Sequence, residues 1–149
     1  MEFEYGKSIR ASAETVWDAL TDPSAMEPHR PGTATVAATG TNGYRVSMKI
    51  SMGFLRPTVN ADVELSNLKQ HESFNIEISG KSMGAGVAGS AAVTLSTLTV
   101  EAGSTRVVMT GIVETSGLLK KIADSKIEAA AVGFLDSYFA SVEKGASPL

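Results

Sequence analysis

The sequence predicts an α+β fold in which an antiparallel sheet of about seven strands packs against one long C-terminal helix. Through the middle of the chain, apolar and polar residues alternate with the period of two that is typical of half-buried strands, most clearly from Tyr44 to Met52. From Ser116 to about Val142 the apolar residues instead form a helical stripe. Because each strand is polar on one side, we expect a sheet with one wet face and one face that the helix covers.

A strand and a short helix come first along the chain. Apolar residues near the N-terminus predict a strand at about residues 2–10. Ser12 is a good N-cap for the helix that follows, because apolar residues continue after it at helical spacing up to Leu20. Pro23 ends this helix or starts another turn, and the proline-rich residues 23–32 are expected to form a loop or a short helical turn.

Turn signals separate the remaining strands. Asn42-Gly43 is typical of a hairpin and pairs the strand that starts at Tyr44 with residues 34–38. Further alternating runs predict strands at residues 59–65, 74–78, 87–95 and 107–113. A helix over residues 116–142 is about 40 Å long, which is enough to cross the whole sheet.

Length and composition exclude several classes of protein. The 149 residues fit one domain, which we place at residues 1–144, with a short flexible tail at 145–149. The absence of Cys excludes a zinc ribbon, a disulfide scaffold and a thiol nucleophile. A net charge of −3 without a basic run argues against a nucleic-acid partner. The N-terminus lacks a basic secretory signal and no stretch reaches the roughly 20 apolar residues of a membrane span, so we expect a cytoplasmic protein whose membrane contact is at most peripheral.

Several segments together resemble one family. The chain is similar to the family of the G subunit of carbon monoxide dehydrogenase, within the START and polyketide cyclase-like (SRPBCC) helix-grip superfamily, over nearly its whole length. The matching segments are Ile9–Pro23, Pro31-Gly32, Ala61–Leu68, the glycine-rich Ser79–Ala91, and Thr105–Val107 leading into Gly117–Leu119. Where the family usually has Cys-x-Pro-Gly, this chain has His29-Arg30-Pro31-Gly32. The resemblance implies a helix-grip fold, in which a curved antiparallel sheet wraps around the C-terminal helix and short helices connect the first two strands.

The apolar composition favours a cavity between this helix and the sheet. Only 6% of the residues are aromatic, whereas the chain contains 14 Gly and 6 Met, so the core is expected to pack adaptably and to leave space. Ordinary core packing is the alternative for each residue taken singly. The candidate ligand-binding residues around the gap are Met26, His29, Met48, Ile50, Met52, Val63, Ile76, Ile78, Met83, Val93, Met109, Ile122, Ile127 and Phe134.

The two histidines are considered separately. His29 lies among prolines beside the expected pocket entrance, where it either donates a hydrogen bond to a ligand carbonyl or belongs to a surface loop. His71 lies in an expected turn and is predicted to be solvated. Two scattered histidines without Cys predict no structural metal cluster.

These observations lead to one hypothesis and two alternatives. We expect non-enzymatic binding of a hydrophobic small molecule in the cavity, with no tightly bound cofactor. The family resemblance implies a quinone- or lipid-like ligand and an accessory role to a molybdenum hydroxylase of the carbon monoxide dehydrogenase type. One alternative is a polyketide cyclase or dehydratase that uses the same pocket, which requires a charged or hydroxyl group projecting into it. The other is a protein-interaction module with a closed core and no ligand.

Overall fold

Seven strands and three helices make up the part of the chain that the computed structural model describes, which comprises residues 1–29, 35–40, 42–49, 58–82, 85–97 and 103–146. The strands are β1 (Glu2–Ile9), β2 (Thr35–Gly40), β3 (Gly43–Lys49), β4 (Thr58–Lys69), β5 (Ser73–Ser82), β6 (Ala85–Thr97) and β7 (Thr105–Gly117). The helices are α1 (Ala13–Thr21), α2 (Pro23–Met26) and α3 (Asp124–Ala146). Two 3₁₀ turns, Glu27–His29 and Leu118–Lys121, follow α2 and β7.

All seven strands form one antiparallel sheet in the order β1-β7-β6-β5-β4-β3-β2. From β2 to β7, each strand pairs with the next one along the chain, and β1 pairs with β7. The predicted hairpin is present, with Val36 of β2 opposite Val46 of β3. The predicted α+β fold, with its antiparallel sheet, short helices after β1 and a C-terminal helix, is therefore confirmed.

Helix α1 covers one end of the inner sheet face. It begins where the sequence predicts, because the Thr15 N–H donates to the Ser12 hydroxyl at 3.1 Å. Its apolar side buries Trp17, whose ring meets the Phe74 ring edge-on with 5.4 Å between the centroids. Phe74 of β5 lies opposite Val93 of β6, and both are almost fully buried. This end of the sheet therefore has a filled core.

Helix α3 is anchored at two places along its length. Near its C-terminal end, Phe139 and Val142 are buried in the main core, and Phe139 stacks on Tyr5 of β1 with 6.1 Å between the ring centroids. Near its N-terminal end, Ile127 packs with Leu119 and Ile122 in a second apolar cluster. The helix therefore crosses the sheet between two fixed points.

The predicted start of the long helix at residue 116 is wrong. Strand β7 continues to Gly117, which pairs with Ala85 of β6, and the Leu118–Lys121 turn follows before α3 starts at Asp124. Gly117 has a φ of 62°, a left-handed backbone conformation that ends the strand. The helix then continues to Ala146, beyond the expected domain end at residue 144. The error arises because Leu119 and Ile122 lie in the connecting turn and are buried there. Their apolar side chains continue the helical pattern of α3 toward the N-terminus, although they are not part of the helix.

Gly111 lies at a close approach between β6 and β7, and replacing it tests this packing. A Cβ atom at Gly111 would lie 2.0 Å from the Ser90 carbonyl oxygen and 2.7 Å from the Ala91 Cβ. Gly111→Ala therefore forces the strands apart, and we expect it to lower the free energy of unfolding by about 1–3 kcal/mol in urea titrations.

Gly133→Ala is the matched control, because a Cβ at this position in α3 has no heavy atom within 4 Å. Alanine is favoured over glycine inside a helix, so this variant should gain about 0.5–1 kcal/mol. Equal stability of the Gly111→Ala variant and the wild type would contradict the close approach.

Candidate ligand-binding cavity

A cavity of about 370 Å³ lies between the inner face of the sheet and α3. Every strand from β1 to β7 contributes to its wall, and α1, α2 and α3 complete it. The lining includes Met1, Phe3, Ala19, Leu20, Met26, Val36, Tyr44, Val46, Ala61, Val63, Ile76, Ile78, Val87, Gly89, Ala91, Met109, Gly111, Val113, Thr115, Leu119, Ile127, Ala130, Ala131, Phe134, Leu135 and Tyr138. The volume falls within the range of about 300–1,000 Å³ that is typical of small-molecule sites.

Small residues on both walls create this space. Ala91 of β6 lies opposite Gly111 of β7, and Ala130 and Ala131 lie on the facing side of α3. Both ends of α3 are held by larger buried residues, so these short side chains leave space between the helix and the sheet. The helix therefore spans a gap that larger residues fill elsewhere in the core.

Two glycines also bring the main chain to the cavity. A Cβ at Gly111 would meet the Ser90 carbonyl oxygen at 2.0 Å, and one at Gly89 would meet the Ile112 carbonyl oxygen at 3.2 Å. Ser90 and Ile112 border the cavity in the same region, although the side chains of both residues are exposed. Because the two glycines have no Cβ atom, the backbone of the sheet itself forms this part of the cavity wall.

Two tyrosines close the end of the cavity next to α1. The Tyr138 hydroxyl of α3 donates to the Ala19 carbonyl, and the Tyr44 hydroxyl of β3 donates to the Leu20 carbonyl at 3.4 Å. Both acceptors lie in the last turn of α1, where carbonyl groups have no partner within the helix. Burial raises the pKa of both hydroxyls well above the usual range of tyrosine, and the neighbouring Tyr44 raises that of Tyr138 further. The two rings therefore stay neutral and tie α1 to β3 and α3.

Charged side chains are not found in the described lining, and the α-amino group of Met1, which also borders the cavity, donates to the Val113 carbonyl at 2.6 Å. This lining contains no Asp, Glu, His, Lys or Arg, and its side-chain hydroxyls other than that of Ser90 belong to Tyr44, Thr115 and Tyr138. No group of three or more His, Asp and Glu residues able to hold a metal occurs among the described residues. None of the described helices is both long and apolar enough to cross a membrane.

Apart from His29, the structure divides the sequence-predicted site residues into three groups. Those that line the cavity are Met26, Val63, Ile76, Ile78, Met109, Ile127 and Phe134. Two others are buried beside it: Val93 in the filled core under α1, and Ile122 in the second apolar cluster. Ile50, Met52 and Met83 lie outside the described residues, as does the side chain of Met48 in β3.

Val93 and Ile122 do not belong to the lining, for two different reasons. Val93 faces the same side of β6 as Ala91, but it lies two residues further along, opposite Phe74, where Trp17 fills the space. Ile122 follows the 3₁₀ turn and packs with Leu119 at the N-terminal anchor of α3 instead of projecting from the helix itself. Periodicity indicates the inward direction of both side chains, but it does not indicate whether the volume next to them is filled.

His29 is attached to α3 and is not part of the cavity lining. Its Nδ1 lies 2.8 Å from the Ser141 Oγ, and its ring meets the Tyr138 ring edge-on at 5.9 Å between centroids. Burial lowers the pKa of His29. A hydrogen bond to a ligand carbonyl stays a prediction. His71, which was expected to be solvated, is half-buried and lies edge-on to Trp17 at 6.1 Å.

The two tyrosines are absent from the residues predicted from sequence, although the sequence patterns contain them. Tyr44 begins the alternating strand on the inward side, and Tyr138 belongs to the apolar stripe of the C-terminal helix. The prediction of a cavity rests on methionine and aliphatic residues, and a tyrosine ring does not belong to that pattern. The small residues Ala91, Gly111 and Ala130 were missed because a short side chain carries no signal of its own.

Comparisons with known proteins agree on the fold and on one family. The family model of CoxG, the G subunit of carbon monoxide dehydrogenase, matches residues 6–147. A crystal structure of a conserved protein from Geobacillus kaustophilus superposes with a TM-score of 0.85 at 17% identity, covering 98% of this chain and 95% of that one. No curated protein sequence matches this chain.

More distant structures extend the comparison. A protein from Rhizobium loti superposes with a TM-score of 0.68 at 16% identity, covering 95% of this chain and 96% of its own. An aromatase/cyclase from Streptomyces sp. R1128 gives 0.64 at 16% identity, covering 98% and 93% of the two chains. At these identities, the similarity shows a shared fold.

The partly buried His29 leads to a prediction about the pH dependence of stability. Because its pKa is lower in the folded protein than in the unfolded chain, the unfolded chain binds the proton more tightly. The free energy of unfolding should therefore decrease as the pH falls through the unfolded-state pKa of about 6.5. His29→Gln removes this contribution, so urea titrations should show a smaller loss of stability between about pH 7.5 and pH 5 than in the wild type.

Ser141→Ala serves as the control, since it removes the 2.8 Å contact but leaves the imidazole in place. This variant should keep most of the wild-type pH dependence, because burial is the cause of the lowered pKa. An unchanged pH dependence in the His29→Gln variant would show that His29 does not make this contribution.

Proposed function

Because the chain belongs to the CoxG family of carbon monoxide dehydrogenase, as its sequence predicts, we propose that it binds a quinone- or lipid-like small molecule without transforming it. The cavity of about 370 Å³ between sheet and α3 is the observation that carries this proposal. We further propose an accessory role to a molybdenum hydroxylase of the carbon monoxide dehydrogenase type, which the family description supports.

The chemistry of the walls favours an apolar ligand. The lining consists mainly of aliphatic residues, methionines and aromatic rings, with Met26, Met109 and Phe134 from three different elements. A ligand that buries about 300 Å² of apolar surface gains about 7 kcal/mol from transfer out of water. Association and ordering cost several kcal/mol, which offsets part of this gain. Methionine side chains adapt to ligands of different outline.

Binding is better supported than catalysis. A cyclase or dehydratase needs a group that moves protons at the substrate. In the described lining, the Tyr44 and Tyr138 hydroxyls donate to main-chain carbonyls of α1, and their raised pKa values keep them neutral. The aromatase/cyclase among the similar structures shares the fold, and nothing further is carried over from it.

Native mass spectrometry and quinone titration test the proposal directly. Purified full-length protein should carry an extractable apolar molecule, or take up 2-methyl-1,4-naphthoquinone or a fluorescent fatty acid after extraction. Ala130→Phe places a ring in the space between α3 and the sheet, so it should weaken uptake of both probes at least tenfold. Thermal unfolding should show that this variant remains folded, since the added ring fills space that is already present.

Ala129→Phe is the matched control, because this neighbouring residue of α3 is exposed. It should change uptake less than twofold. A wild-type protein that arrives empty and takes up neither probe would refute ligand binding. Unchanged uptake by the Ala130→Phe variant would place the binding site elsewhere.

A further inference from the structure

The outer face of the sheet carries an uncharged surface on β6 and β7. It consists of the outward-facing side chains of Ala88–Thr94 and of Val108–Ile112, all of them exposed, and we call it the outer platform. The two rows are in register, with Ser90 opposite Ile112 and Thr94 opposite Val108. Ile112 is 54% exposed, the most among the large hydrophobic residues that the structure describes, and Val108 is 37% exposed.

Carboxylates border the outer platform on three sides. Glu2 and Glu4 of β1 lie opposite Ile112 and Thr110 of β7, respectively. The other two sides are formed by Glu77 of β5, opposite Ser90, and by Glu114 of β7, opposite Ala88. All four carboxylates are exposed. Of the basic residues on this face, Lys81 lies beyond one end of the platform, opposite Gly86, whereas the Arg106 guanidinium lies against Gly6 of β1, opposite Val108, at the other end.

A repulsive pair extends this acidic border. Glu64 of β4 and Glu77 of β5 lie directly opposite each other, and both are exposed. Like charges in this position destabilise a sheet. On the same face, Arg45 and Asp62 form a 2.7 Å ion pair, so exposed charges here do pair where a partner is available. A basic group brought by another molecule would relieve the Glu64–Glu77 repulsion.

We propose that the outer platform docks a partner protein whose contact surface is flat and uncharged at its centre and basic around it. The acidic border decides between possible occupants. A second copy of this chain would set these carboxylates against their own equivalents, and an anionic membrane would repel them. Basic side chains around an uncharged patch instead complement both the border and the centre.

The size of the outer platform sets the kind of complex. The longer row, Ala88–Thr94, is about 20 Å long and the two neighbouring strands together are about 10 Å wide, so the platform offers on the order of 200 Å². A stable interface buries about 800 Å² on each partner. The complex is therefore transient, and its association rate falls as salt increases. The cavity lies on the opposite face of the same strands, so docking leaves α3 uncovered.

The proposal rests on the accessory role proposed above, which supplies the probe for its test. Purified wild-type protein is titrated by biolayer interferometry against the purified molybdenum hydroxylase of the same organism, at about 50 and 200 mM salt. The double variant Glu4→Lys/Glu77→Lys should slow association at least tenfold at low salt and remove most of the salt dependence. Ile112→Lys should weaken binding at both salt concentrations, since it puts a positive charge at the centre.

Glu128→Lys makes one substitution of the same kind on the exposed surface of α3 and should leave binding within twofold of the wild type. Equal losses for this control and for the double variant would overturn the assignment of the surface. So would wild-type protein that does not bind the enzyme, or a dimer or vesicle complex that Ile112→Lys abolishes.

Uptake of 2-methyl-1,4-naphthoquinone by the same variants separates the two proposals. Normal uptake without enzyme binding leaves the ligand function standing and removes the docking surface. Enzyme binding that depends on Glu4 and Glu77, without uptake of the quinone, supports the docking surface and refutes the ligand function.

Discussion

The attachment of α3 at two ends is the constraint on which the cavity depends. Phe139 and Val142 fix the helix over β1 and α1, and Ile127 fixes it against Leu119 and Ile122. Between these anchors the small residues Ala91, Gly111 and Ala130 leave space, which larger residues such as Phe134 and Met109 border. A helix held at only one end would tilt onto the sheet and bury its own apolar side. Here it spans the gap, and the wall stays accessible to a ligand.

The polar groups around the cavity are satisfied by the protein itself. Carbonyl groups in the last turn of α1 accept hydrogen bonds from Tyr44 and Tyr138. Among the described residues, no buried side-chain nitrogen or oxygen atom lacks a hydrogen-bond partner. A ligand therefore does not have to supply a hydrogen-bond partner for these hydroxyl and carbonyl groups. For the proposed apolar ligand, shape and transfer from water would then decide the selection.

The two faces of β6 and β7 show how one pair of strands serves two purposes. Inward, Ala91 and Gly111 leave room for the cavity, and outward, Ser90 and Ile112 form part of the outer platform. Alternation along a strand makes this separation possible, since neighbouring side chains point to opposite faces. The close approach of the strands at Gly111 connects the cavity wall with the outer platform, because a shift of either strand changes both surfaces.

The fold class and the inward or outward direction of the side chains can be predicted from the sequence, because both follow from local periodicity. This periodicity placed Val63, Ile76 and Met109 correctly on the inner face, but it started the long helix too early, since Leu119 and Ile122 continue its apolar pattern from a turn. Which inward residues border empty space depends instead on how distant elements pack. Ala91 borders such space and Val93 does not, although they share a face, because Trp17 and Phe74 occupy the volume next to Val93. A cavity is a property of what distant elements leave unfilled, and no local pattern records it.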